Sequence, residues 1–198
     1  MNLSLNDVAL PVRLRFERPV TDEELMEFSS ANDVLRVERE PNGELIVMSP
    51  NGGAGGSLEL AIGAVLWNWA QEDGRGKAFG LNAGFRLADG SVRAPDASWV
   101  SYARWNLLTV EQQEKYVPLC PEFVIEVRSK SDRLGPLEEK MEMWVGNGAE
   151  VAWLIDPERK VVVVYRRGEE REIFEDPSSV QGSGPVRGFE LVMARVWG

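Results

Sequence analysis

The chain has 198 residues, a formal charge of −10 from 32 acidic and 22 basic side chains, and no histidine. Lack of imidazole excludes Ser-His-Asp triads, Cys-His pairs and histidine-zinc sites. The lone cysteine, Cys120, excludes an intrachain disulfide and a cysteine-rich zinc site.

The acidic balance argues against general affinity for nucleic acid, since non-specific binding neutralises phosphates with Lys and Arg. A local basic cleft or a metal could offset it. The length suits a single domain over residues 1–198, with 1–20 as an N-terminal extension or edge strand. A 43% hydrophobic fraction with seven Trp implies a packed core. No apolar run reaches membrane-span length, and the N-terminus lacks a basic stretch before an apolar one. The expectation is a soluble, cytoplasmic protein.

The first predicted element is a helix from Thr21. Glu24 follows three residues later in a capping-box pattern, and Leu25 and Phe28 share a face. VLRVEREPNGELIVMS reads as a hairpin turning at Pro41, Asn42 and Gly43. GGAGGS lacks the Gly-Lys-Ser/Thr ending of a phosphate loop and reads as a flexible turn. The helix after it buries Leu58, Ile62, Val65, Leu66 and Trp69. Short strands follow in GFRLADGS and ASWV, then a helical or irregular stretch from Tyr102 to Tyr116. FVIEV is a strand, and LEEKMEMWV a helix introduced by Pro136. VAWLID and KVVVVYR form a second hairpin around Asp156-Pro157, with short strands beyond it near Glu172–Phe174 and Phe189–Val192. Together these predict an α/β (α+β) fold with helices on a mixed, mainly antiparallel sheet.

Two carboxylates stand out. Alternation along the strand puts Phe123, Ile125 and Val127 on one face and Val124, Glu126 and Arg128 on the other. Charged strand residues mostly face water, so Glu126 alone reads as part of a polar face, although Val124 beside it argues otherwise. Asp96, after Pro95, reads alone as a turn aspartate capping backbone amides. Lys140 and Glu59 flank the buried stripes of their helices, where charges normally reach for solvent. As a set, Asp, Glu and Lys suit metal-dependent phosphodiester cleavage. Mg²⁺ prefers carboxylate oxygens and keeps waters, and an ammonium can stabilise charge developing on phosphate.

The successive stretches GFRLADGSVRAPDASWV, RWNLLT, CPEFVIEVRSKSDRL and EKMEMWVGNGAEVAWLIDPERKVVVVYR, with the MSPNGG loop before them, resemble the PD-(D/E)XK nuclease superfamily. More narrowly they resemble its Uma family, over about Leu45 to Phe189. The resemblance implies a restriction-endonuclease-like fold in which Asp96 and Glu126 bind the metal and Glu59 is the additional acid. It further implies Lys140 as the lysine, supplied from the helix, because Arg128 stands where the E-x-K pattern expects that residue; Arg128 remains the second candidate. The function so implied is Mg²⁺-dependent cleavage of DNA, with Mn²⁺ as a substitute. A homodimer suits cutting of two antiparallel strands. Two alternatives stay open at this level: a nuclease-like fold that binds without cutting, and a hydrolase of small phosphorylated molecules.

Overall fold

The computed structural model describes residues 10–197. In chain order the elements are β1 (Val12–Leu14), α1 (Asp22–Ala31), β2 (Arg36–Arg39), β3 (Leu45–Met48) and α2 (Gly53–Asp73). Then come β4 (Gly76–Gly80), β5 (Phe85–Arg86), β6 (Val92–Arg93), β7 (Ala97–Ser101), α3 (Tyr102–Trp105), α4 (Val110–Glu114) and β8 (Phe123–Val127). The chain closes with α5 (Leu134–Gly146), β9 (Val151–Asp156), β10 (Val161–Arg166), β11 (Glu172–Glu175), β12 (Ser179–Gln181), β13 (Glu190–Val192) and α6 (Ala194–Trp197).

The central sheet runs β11-β10-β9-β8-β7-β4. Its pairings are antiparallel except β8 with β9, which are parallel and joined across α5. A parallel pair needs such a crossover, whereas the antiparallel β9–β10 pair closes through a short turn after Asp156. A second sheet, β1-β3-β2-β6-β5, carries the first predicted hairpin as β2 and β3. The mixed, mainly antiparallel α/β architecture expected from the sequence is the one observed.

Both faces of the central sheet are buried. On one, Ile62, Leu66 and Ala70 of α2 meet Trp99, Phe123, Ile125 and Trp153, with Phe189 and Leu191 closing the layer. On the other, Met141 and Trp144 of α5 pack on Val124 and Leu154. β8 therefore has no solvated face, and the polar-face explanation of Glu126 fails: its carboxylate enters the protein interior, 3% exposed. The second sheet packs on α1 through Leu25, Phe28, Leu45, Val47 and Val92.

Local signals behave as their chemistry dictates, with two corrections. Thr21 and Glu24 make the reciprocal capping box of α1. The glycine run before α2 is not a flexible turn, because the helix already begins at Gly53. α2 ends at Gly74, whose φ of 69° is the left-handed conformation that glycine adopts freely. Pro136 does not introduce α5, which starts two residues earlier at Leu134. Proline is tolerated there because the first helical N–H groups have no intrahelical acceptor. Cys120 is buried, and burial pushes its thiol up to about 12, so it is an inert core residue.

Candidate active site

Four elements of the central region and one strand of the second sheet deliver charged side chains to a single place. Asp96 sits at the entry to β7, where Pro95 has no N–H to contribute to a ladder. Its carboxylate is held across the sheet: Oδ2 accepts the Val127 backbone N–H at 2.8 Å. Oδ1 accepts from both terminal nitrogens of Arg36 on β2, at 3.3 Å each. The same Arg36 lies 3.9 Å from Glu59 Oε1. One guanidinium thus bridges the strand acid and the helix acid.

Glu59, in the second turn of α2, also accepts a hydrogen bond from the Asn51 amide, and its carboxyl faces Asp96 closely enough to hydrogen-bond. Burial first, and the Asp96 charge second, push the Glu59 carboxyl up to about 7. The Arg36 guanidinium opposes that rise without cancelling it.

Glu126 is built differently. Its Oε1 accepts the Trp144 indole N–H at 2.8 Å and lies 2.9 Å from the Lys140 ammonium, both delivered by α5. Burial raises the Glu126 carboxyl to about 7; Lys140 opposes the rise, and the Asp96 and Glu38 charges add to it. The Lys140 ammonium is raised above the ordinary lysine value. Burial works against it, but Glu126, Glu38 and Asp96 more than compensate. Lys140 is therefore a fixed cation at neutral pH.

The structure brings Asp96, Glu126, Lys140 and Glu59 into one electrostatic cluster and leaves Arg128 outside it. Arg128 bonds Asp156 Oδ2 at 2.8 Å and the Asp132 carbonyl at 3.2 Å, tying the end of β8 to β9 and the following loop. The cation beside Glu126 comes instead from α5, as Lys140.

Sequence reasoning missed three participants. Arg36 and Glu38 share one face of β2, and the alternation RVER looks like an ordinary solvated edge. Glu38 is in fact 4% exposed. Trp144 was legible as a core residue, but not as the donor to Glu126. No local signal marks Arg36 or Glu38, since two charged residues at period two on a short strand read equally as a solvated edge.

Among the described residues, no three acidic or cysteine side chains stand as a ready-made metal cage. The donor set nevertheless fits a hard divalent ion. Mg²⁺ is commonly held by one or two carboxylates completed by water and substrate phosphate. Burial is the main cause of the raised Glu59 and Glu126 carboxyls, with the neighbouring carboxylates adding to it.

Among solved structures, this chain is similar to a crystal structure of a "putative nuclease belonging to DUF820" from Anabaena variabilis ATCC 29413. The TM-score is 0.73 at 20% identity, over 90% of this chain and 98% of that one, a likeness of fold. A cryo-EM structure of a DrdV–DNA complex is matched at a TM-score of 0.41 and 17% identity, over 62% of this chain and 11% of that one. No curated protein matches the chain. The family model described as "Uma2: Putative restriction endonuclease" matches residues 22–194, and the chain belongs to that family.

Proposed function

We propose that the protein is a Mg²⁺-dependent endonuclease that hydrolyses DNA phosphodiester bonds. Membership of the Uma2 family supports a nuclease role in general. The observation that carries the finer reading is the pairing of Lys140 with Glu126 at 2.9 Å, beside an Asp96 carboxylate whose other oxygen is pinned to the same strand end.

Asp96 and Glu126 would hold the metal, with Glu59 the adjoining acid. A bound Mg²⁺ supplies Lewis acidity toward phosphate and an activated water. The chain's own residues do the rest. The Val127 N–H fixes the Asp96 carboxylate in orientation, and the Trp144 N–H does the same for Glu126. Lys140, held charged, stabilises negative charge developing on the phosphate and cannot serve as a proton acceptor at neutral pH. Arg36, its side chain 21% exposed and paired with Asp96, is a second cation at the site and would be suited to meeting a phosphate oxygen.

The test is incubation of supercoiled plasmid and of RNA with Mg²⁺ or Mn²⁺, using wild type, Asp96→Ala and Glu126→Ala. DNA cleavage by the wild type, lost in both folded variants, is the expected result. Undiminished cleavage by either variant, or cutting in EDTA, overturns the proposal.

A further inference from the structure

The mechanism above leaves the buried carboxylate of Glu38 unused. Glu38 comes from the second sheet, yet the Lys140 ammonium that pairs with Glu126 also donates to Glu38 Oε1, at 3.1 Å. The same oxygen accepts the Ala94 N–H at 3.3 Å, and Oε2 accepts from Arg93 at 3.0 Å. Arg93 in turn bonds Glu40 with its other terminal nitrogen. Glu38 is thus anchored on one side by a buried arginine and a backbone amide, and presents its remaining capacity to Lys140.

We infer that Glu38 is the positioning residue for Lys140, holding its ammonium between two carboxylates so that it stays aimed at the metal-binding edge. A long, flexible lysine chain loses considerable rotamer freedom when fixed, and a single carboxylate leaves it free to swing about one contact. Two acceptors from different sheets define its position. Glu38 also gives the ammonium a counter-ion of its own. Without it, the full lysine charge falls on Glu126, the group that must remain available to a metal. The catalytic consequence rests on the nuclease reading; the positioning itself does not.

The experiment has two arms. In the first, ¹⁵N NMR of lysine-labelled protein in EDTA, without DNA, follows the ammonium signal assigned by its absence in Lys140→Met. A slowly exchanging signal in the wild type is expected. Its hydrogen exchange should accelerate roughly tenfold or more in Glu38→Gln, as loss of a charge-assisted bond implies. Glu38→Asp keeps a negative charge for Arg93 but shortens the reach to Lys140, and should show the same acceleration. No slow signal in the wild type, or exchange unchanged in a folded Glu38 variant, overturns the inference. In the second arm, plasmid cleavage with Mg²⁺ should lose roughly 10- to 100-fold in kcat with KM held, the usual effect of removing a partner that orients a site residue. A merely structural role would leave both exchange and kcat unchanged in any variant that folds. Absence of wild-type cleavage would sink the nuclease reading while the exchange result still decides the role of Glu38.

Discussion

Replacing Glu126 by Gln should make the protein more stable at alkaline pH, although it removes a group proposed for catalysis. Burial places the Glu126 carboxyl at about 7 in the folded protein against an ordinary value of 4.5. The folded state therefore keeps a proton that the unfolded chain has released, and stability falls as pH rises from 4.5 to about 7. That interval corresponds to about 3 kcal/mol, fully expressed above pH 7 and absent below 4.5. Gln resembles the protonated acid: its carbonyl still accepts the Trp144 N–H, and Lys140 keeps Glu38 as partner. Urea unfolding in EDTA, at pH 4 and pH 8, reads the effect. The two proteins should be equally stable at pH 4. At pH 8 Glu126→Gln should lead by up to about 3 kcal/mol, a Tm rise of roughly 2–4 °C per kcal/mol for a chain of this size. Equal stability at pH 8, or a more stable wild type, would refute the argument that the carboxylate is held at a desolvation cost.

Three further expectations concern its neighbours. Burial pushes Glu38 up, but Lys140 and Arg93 overcome it and hold the carboxyl at about 2. Its contribution is thus complete above pH 4.5 and lost as pH falls toward 2, and Glu38→Gln should flatten that acid limb in a circular-dichroism titration. Trp144→Phe keeps most of the ring packing but strips the indole N–H from Glu126. A loss of about 1–3 kcal/mol in urea unfolding is expected, with slower plasmid cleavage. Arg128→Ala breaks the tie to Asp156 and lowers the melting temperature modestly, while retaining far more Mg²⁺-dependent cleavage than Lys140→Met.

The fold was legible where the signal was local or periodic. Thr21 and Glu24 announced α1, and the period-two run from Phe123 to Val127 was read with the correct sidedness. What the run could not reveal was that both sides are covered, because one cover, α5, lies beyond it in the chain and the other, α2, well before it. At the glycines of α2, propensity pointed the wrong way: tertiary packing of Ile62, Leu66 and Ala70 stabilises a helix whose first turn has poor intrinsic preference. For the site, Asp96, Glu126, Lys140 and Glu59 were named from sequence, and the structure clusters them. Arg36 and Glu38 were not, since a charged pair at period two on a short strand is indistinguishable from a wet edge until the second sheet is placed against α5. Long-range ion pairs such as Lys140–Glu38 leave no trace in local spacing.

The account stands on Asp96 and Glu126 taking a divalent cation together. Calorimetric titration of Mn²⁺ into the wild type and into Asp96→Ala, at pH 8, above the value of about 7 to which burial raises Glu126, measures that directly. One saturable site in the wild type, weakened at least tenfold in the variant, is the expected result, a change of about 1.4 kcal/mol. Equal binding by the two proteins, or none by the wild type, would contradict it.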